Sequence, residues 1–137
     1  VGSAEKYVLN CYSYNNKFST NGSGYRAGGI VGISIGSSTL YIENCYTYYN
    51  YTTSNWGSAI GRANKASIQY FYRNKGNLYY DKDENTTSST TGRYDSKFLI
   101  NSKHISTMLN EWIDSNKYSK YTFRRWKIAD DGSACFE

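Results

Sequence analysis

The sequence predicts a mainly β protein in which successive repeats stack on one another, as in a β-solenoid. A tripeptide returns after 34 residues, first as Asn10-Cys11-Tyr12 and then as Asn44-Cys45-Tyr46. Each copy is followed by a small-residue string, Gly28-Gly29-Ile30-Val31-Gly32 and then Gly57-Ser58-Ala59-Ile60-Gly61. Repeats of a few tens of residues are typical of chains in which each unit buries its apolar face only by stacking on the next.

The composition supports strands and turns. The 137 residues include 16 Tyr and 12 Gly, and they include no Pro. Tyr and Thr favour strands, whereas Gly and Asn favour turns, and so many aromatic side chains argue against disorder. The net charge of +5 comes entirely from residues 1–80, because residues 81–137 carry equal numbers of basic and acidic side chains. The repeat region is therefore mildly basic and the remainder is neutral.

Three units account for most of the first 92 residues. The first unit, about 7–36, has a strand, a polar loop and a second short strand, and the second unit, about 40–66, has the same order with a shorter loop. A weaker third copy spans 67–80, and a loop over 81–92 follows it. Length variation confined to a loop is typical of surface insertions on a stacked core.

The side-chain pattern of the first strand in the second unit does not decide which of its two faces points inward. Side chains of a regular strand alternate between its two faces, so Ile42 and Cys45 cannot both point inward. Ile42 favours one phase and Cys45 favours the other. A local bend at Asn44 would allow both side chains to be buried.

Residues 93–137 are predicted to form an α+β cap that closes the open end of the stack. A helix is expected over about 102–115, with Ser102 as its N-cap and Asn116 at its end. A strand over 122–128 and a terminal strand pair complete this segment, since an uncovered edge invites aggregation. The helix prediction depends on an apolar stripe at i, i+3, i+4, i+7 and i+8, formed by Ile105, Met108, Leu109, Trp112 and Ile113.

The repeated strings resemble the GLUG-type repeats of large bacterial surface proteins. The resemblance covers residues 7–72, and it extends more loosely into the tail through Tyr79-Tyr80-Asp81, Leu109-Asn110, Trp126 and the stretch from Gly132 to Phe136. It implies a right-handed parallel β-helix. It also implies an origin in adhesin-like cell-wall proteins, or a position beside the peptidase domain of some IgA-cleaving enzymes.

Three cysteines leave at least one thiol unpaired. Cys11 and Cys45 occupy equivalent positions, so parallel stacking would place them about 4.8 Å apart on neighbouring strands. A ladder of small buried thiols is the favoured interpretation. A Cys11–Cys45 disulfide is possible by distance, although side chains of stacked strands point side by side.

No catalytic, cofactor or metal site is predicted. His104 has no nucleophile motif beside it, and an exposed or helix-capping role is expected for it. Asp81, Asp83 and Asn85 have the spacing that opens a calcium loop, but Thr86 and Gly92 stand where such a loop needs Gly and Glu. A solvated loop is the better interpretation.

Aromatic loop residues are the candidates for ligand binding. Tyr and Trp rings stack on sugars, and polar neighbours bond the hydroxyl groups. Specific nucleic-acid binding is not expected, because the basic residues of the repeat region stand singly. The proposed ligand-binding residues are Tyr25, Arg26, Tyr51 and Trp56.

Taken together, the sequence predicts a non-enzymatic structural or adhesion domain of a bacterial cell-surface or secreted protein. The chain starts at Val1, which is interpreted as a fragment whose parent protein carries further repeats N-terminal to it. A host glycan or matrix protein is the expected partner, at an extracellular location and without membrane insertion of this fragment. The alternatives are a carbohydrate-binding module and an accessory domain of a secreted peptidase.

Overall fold

The protein consists of short β-strands and one α-helix. A computed structural model describes residues 6–18, 27–34, 36–48, 51–52, 56–57, 59–74 and 86–137. The elements in chain order are β1 (Lys6–Leu9), β2 (Tyr12–Tyr14), β3 (Lys17–Phe18), β4 (Ala27–Gly28), β5 (Val31–Ser34), β6 (Leu40–Tyr48), β7 (Tyr51–Thr52), β8 (Trp56–Gly57), β9 (Ile60–Ala63), β10 (Ala66–Asn74), β11 (Thr86–Tyr94), β12 (Leu99–Ile100), β13 (Lys103–His104), α1 (Ile105–Asp114), β14 (Trp126–Ile128) and β15 (Ala134–Phe136).

A five-stranded parallel sheet lies at the centre. Its order is β1-β6-β10-β11, and β2 pairs with β6 beyond the end of β1. The register matches equivalent residues of the repeats: Tyr7 lies opposite Tyr41, and Ile42 lies opposite Ile68. Identical or similar side chains therefore stack across the sheet, where cross-strand pairs contribute roughly 0.2–1 kcal/mol each.

The predicted right-handed parallel β-helix is wrong. Among the described residues, only the central sheet runs through all the repeats. The pairs β3-β7, β4-β8 and β5-β9 are parallel, but each contains only two strands of two to four residues. The two remaining sheets, β12-β13 and β14-β15, are antiparallel. The repeats therefore determine which strands pair in parallel, but within the described chain the strand pairs outside the central sheet do not join into longer sheets.

Left-handed residues bend the strands at equivalent positions. Asn10, Asn44 and Tyr70 have φ values of 55°, 56° and 50°, and Asn is one of the few residues that enter this region readily. The hypothesis of a bend at Asn44 is confirmed. Because the bend shifts the alternation by one residue, both Ile42 and Cys45 are fully buried in one core.

The sheet separates two apolar cores. One core lies on the side of β9 and contains residues such as Ile42, Ile60 and Phe71. The second lies on the opposite face, where Tyr46 and Tyr72 pack against residues of the C-terminal segment such as Leu109. Both faces of the sheet are therefore covered, as is usual for parallel sheets.

The C-terminal segment packs on a face of the sheet, and the expected cap over the end of a stack is corrected accordingly. The Tyr46 hydroxyl donates to the Ala134 carbonyl, and the Asn10 side-chain amide donates to the Arg124 carbonyl at 3.0 Å. These contacts reach back to the first and second repeats. The cause is the row of large side chains on this face, which needs an apolar cover. The division of the chain at residues 92 and 93 stays a prediction.

The helix begins two to three residues later than its predicted start. His104, rather than Ser102, is the N-cap, and its Nδ1 accepts a hydrogen bond from the Ser106 amide at 3.1 Å. Asn116 follows the C-cap with φ 55°, the left-handed conformation that often ends a helix. No helix within the described part of the chain has the length and apolar character needed to cross a membrane.

Candidate functional site

The most promising site is a groove between strand β2 and the β14–β15 hairpin. Its volume is about 470 Å³. Two tyrosine rings lie on one side, and the hairpin turn with two aspartates lies on the other. We call it the tyrosine–aspartate groove, and it is lined by Tyr12, Tyr14, Ala129, Asp130, Asp131, Ser133, Ala134 and Cys135.

Tyr12 supplies an exposed aromatic ring held in place from behind. Its ring stacks on Tyr46 with centroids 5.5 Å apart and planes 7° apart, and the ring edges of Trp126 and Phe136 lie at similar distances. Tyr12 nevertheless remains 41 % exposed, because within the described chain β2 pairs on one side only. The ring is therefore a fixed platform open to a ligand.

Tyr14 is tied across the groove. Its ring stacks on Tyr48 at 4.8 Å, and its hydroxyl donates to Asp131 Oδ2 at 2.6 Å. This hydrogen bond raises the pKa of Tyr14 to about 12, since the carboxylate favours the protonated phenol. The bond joins two residues 117 positions apart and so fixes the groove width.

The hairpin turn holds the carboxylates. Asp131 Oδ1 accepts from the Ser133 amide at 2.9 Å and from the Ser133 hydroxyl at 2.6 Å. Together with Tyr14, these donors lower the pKa of Asp131 to about 2. Gly132 has φ 83°, a conformation that favours glycine, although a Cβ there would meet nothing within 4 Å. Asp130 beside it is exposed and has no hydrogen-bond partner among the described residues.

His104 braces this turn from the helix. Its Nε2 lies 2.9 Å from the Gly132 carbonyl, and its Nδ1 accepts from the Ser106 amide. Because a carbonyl oxygen only accepts, Nε2 carries the proton. Both ring nitrogens are therefore occupied by structural hydrogen bonds, which agrees with the predicted capping role and leaves no free nitrogen for a general base.

A buried carboxylate anchors the segment that carries the turn. Glu43 is 1 % exposed, and it accepts from Lys117 Nζ at 2.9 and 3.0 Å, from the Tyr118 hydroxyl at 3.0 Å and from Trp112 Nε1 at 3.3 Å. With this many donors the group is satisfied, as a buried charge must be. It is a structural tie between β6 and the C-terminal segment.

The cysteines form a pair without a disulfide. Cys11, Cys45 and Cys135 are free thiols. The Cys11 amide donates to Cys45 Sγ at 3.4 Å, and a side-chain hydrogen bond with Cys45 lowers the pKa of the Cys11 thiol to about 7. Burial raises the pKa of Cys45. No group of three or more metal-ligating side chains occurs in the part of the chain that the structure describes.

Of the residues predicted as ligand-binding, two lie outside the described residues, and the structure describes the other two by their strand pairing. Tyr25 and Arg26 lie outside the described residues, as do Asp81, Asp83 and Asn85 of the calcium-like string. Tyr51 lies in β7 opposite Lys17, and Trp56 lies in β8 opposite Ala27. Their role in binding stays a prediction.

Sequence reasoning missed the groove because its two sides are far apart in the chain. The available signal was the pair Tyr12 and Tyr14 two residues apart on a strand, which places both rings on one face. The adjacent aspartates before Gly132 form a second signal, since this pattern is typical of a turn. Nothing local connects the two.

Comparisons of this chain with protein-family models, with curated proteins and with solved structures found no match. The resemblance to GLUG-type repeats therefore remains a prediction based on the residues that carry it.

Proposed function

We propose that this chain is a non-enzymatic binding domain of a bacterial cell-surface or secreted protein, and that its tyrosine–aspartate groove holds an uncharged saccharide chain. One observation carries the proposal: the exposed ring of Tyr12 and the carboxylates of Asp130 and Asp131 line the same groove. Open grooves with a few convergent polar groups are the usual form of binding sites.

The chemistry of the groove suits a sugar. An aromatic face is electron-rich, so the C–H groups on the flat side of a pyranose ring pack well against it. Carboxylate oxygens are strong acceptors for the sugar hydroxyl groups. The rings of Tyr12 and Tyr14 lie two residues apart on one strand, a separation of about 6.6–6.8 Å that allows neighbouring sugar units to meet successive rings.

The charge of the groove favours an uncharged ligand. Asp130 and Asp131 are adjacent acidic residues, and the low pKa of Asp131 keeps its carboxylate ionised near neutral pH. Like charges disfavour binding, so phosphate and sulfate groups are repelled here. This argument supports a glycan and opposes nucleic acid at this site.

An extracellular, adhesive role rests on the resemblance to bacterial surface repeats together with this groove. In that setting the saccharide is a host glycan. A matrix protein is the other expected partner, and binding measurements distinguish it from a glycan.

The test is a glycan array followed by titration of the strongest ligand against matched variants. Tyr7 and Tyr12 are both 41 % exposed, and each stacks on the tyrosine 34 residues further along, but only Tyr12 lines the groove. Tyr12→Ala is expected to weaken binding by about threefold to tenfold, as loss of one aromatic contact does. Tyr7→Ala is the control and should bind normally.

A second variant guards against misfolding of the first. Asp130→Asn removes one charge from an exposed position and should leave the melting temperature unchanged. It is expected to weaken binding of a neutral glycan by several-fold. Equal affinities of the wild type, Tyr12→Ala and Asp130→Asn for the glycan would refute the groove as the binding site. Binding of a matrix protein, with no binding signal for any glycan, would refute it as well.

A further inference from the structure

A second surface of the protein concentrates positive charge. Residues 117–127 contain five Lys or Arg residues and no Asp or Glu, although residues 81–137 as a whole are neutral. Four aromatic residues alternate with these charges. We call this segment the basic strip, and its charged members are Lys117, Lys120, Arg124, Arg125 and Lys127.

Only part of this charge is neutralised within the molecule. Lys117 pairs with Glu43 at 2.9 Å, and Arg125 pairs with Asp114 at 2.6 Å. The other three basic residues are exposed, and no carboxylate side chain among the described residues pairs with them. Uncompensated surface charge of one sign attracts ligands of the opposite sign and accelerates their association. The three cations without a carboxylate side chain as partner, which we call unpaired, are Lys120, Lys127 and Arg124, the last of which donates to the main-chain oxygen of Glu137.

An aromatic pocket is lined largely by residues of the same segment, and Lys120 contacts its rim. Its volume is about 280 Å³, and Tyr121 at its rim is 49 % exposed. Lys120 Nζ lies 5.0 Å from the centroid of the Tyr121 ring, and the centroids of the Tyr121 and Phe123 rings are 6.2 Å apart. The strip therefore offers a flat apolar face next to positive charge. The pocket lining includes Trp112, Asn116, Tyr118, Tyr121, Phe123 and Arg125.

We propose that the basic strip is a binding surface for an acidic polysaccharide, meaning a glycan that carries sulfate or carboxylate groups. The acidic groups meet Lys120, Arg124 and Lys127, and one sugar ring packs against Tyr121. The positive charge of this surface is opposite to that of the tyrosine–aspartate groove, so it selects the opposite class of glycan.

The exposure of the aromatic residues favours a polysaccharide over single-stranded nucleic acid. Nucleic-acid grooves stack successive bases on several open aromatic rings. In the basic strip, Trp126 is only 2 % exposed, and Tyr121 is the one aromatic residue of the strip with a largely open ring. A single platform beside spaced cations suits one sugar ring within a charged chain.

The experiment measures binding to heparin, a sulfated polysaccharide, over a range of salt concentrations. A triple variant, K120Q/R124Q/K127Q, removes the unpaired charges. A control triple variant, K6Q/K65Q/K97Q, removes the same net charge from exposed lysines outside the strip. The strip variant is expected to lose at least tenfold in affinity, and its logarithmic salt slope should fall by about 2 to 3, because each released counterion contributes about one unit.

Two further measurements keep the result interpretable. Arg124 contacts the Glu137 carbonyl and the Phe136 ring, so K120Q/K127Q serves as a milder variant that leaves these contacts intact. Asp130→Asn changes the groove without removing a contact of the strip, and it should bind heparin at least as tightly as the wild type, which distinguishes this surface from the groove. The proposal is overturned if the two triple variants lose equal affinity, or if an oligothymidylate of matched charge binds more tightly than heparin.

Discussion

Removing the Glu43 carboxylate should destabilise the protein by loosening the segment that carries both proposed binding surfaces. In Glu43→Ala, the indole N–H of Trp112, a residue only 4 % exposed, loses its acceptor. An unsatisfied buried donor costs about 1–3 kcal/mol. The Tyr118 hydroxyl and the Lys117 ammonium also lose a charged partner, but Lys117 is 47 % exposed, so water replaces much of that interaction. We expect a loss of about 2–4 kcal/mol in the free energy of unfolding.

The assay is urea unfolding followed by tryptophan fluorescence, because Trp112 itself reports on the site. Glu43→Gln keeps an oxygen acceptor and the side-chain volume, and we expect it to lose roughly half as much as the alanine variant. Glu111→Ala is the control, since Glu111 pairs with Lys103 at 2.8 Å and both side chains are about half exposed. That control should change stability by less than about 0.5 kcal/mol. If Glu43→Ala is no more destabilising than Glu111→Ala, the carboxylate is not the tie that we infer.

Three further predictions concern the repeat region and the hairpin turn. Tyr70 occupies the left-handed position equivalent to Asn44, whose buried Oδ1 lacks a hydrogen-bond donor. An Asn at position 70 suits this conformation and can supply the donor, so the free energy of unfolding of Tyr70→Asn in urea should be about 1–2 kcal/mol above that of Tyr70→Ala. Equal stabilities of the two variants would refute this reasoning. Cys11, whose pKa is about 7, should react with iodoacetamide faster than Cys45, whose pKa is raised, and the labelling rate of Cys11 should reach half of its maximum near pH 7. Mass spectrometry that shows faster labelling of Cys45 would contradict this prediction. Because the pKa of Asp131 is lowered from 3.8 to about 2, its carboxylate should stabilise the fold fully above pH 3.8, and this stabilisation should be lost as the pH falls through about 2. The melting temperature of Asp131→Asn should therefore depend less on pH in that window than the melting temperature of the wild type. The same pH dependence in both proteins would contradict this prediction.

Repetition made the pairing register readable from the sequence. Equivalent residues of the first two units, such as Tyr7 and Tyr41, lie opposite each other, because matched side chains stack best in parallel. The bend at Asn44 followed from two apolar residues that a regular strand could not both bury. The β-helix was wrong for the same reason that the register was right: similarity between units specifies which strands pair, but it does not specify how many strands each pairing contains.

The helix was readable because its signal is local. The apolar stripe runs through Ile105, Leu109 and Trp112, all of which are buried. Its start was misplaced because the cap is a histidine, which is not among the usual capping residues. His104 takes that role because the hairpin turn at Gly132 offers its second ring nitrogen a partner.

The sequence by itself determined the strand-rich composition, the parallel alignment of the repeats and the amphipathic helix, since each is encoded by residues close together or by similarity between units. The tertiary structure decided where the tail lies and which side chains meet. Tyr14 and Asp131 are 117 positions apart, and Glu43 and Lys117 are 74 apart. Contacts between dissimilar, distant segments leave no periodic trace in a sequence. They form because the sheet face presents an apolar surface and a buried carboxylate that only the folded tail can cover and satisfy.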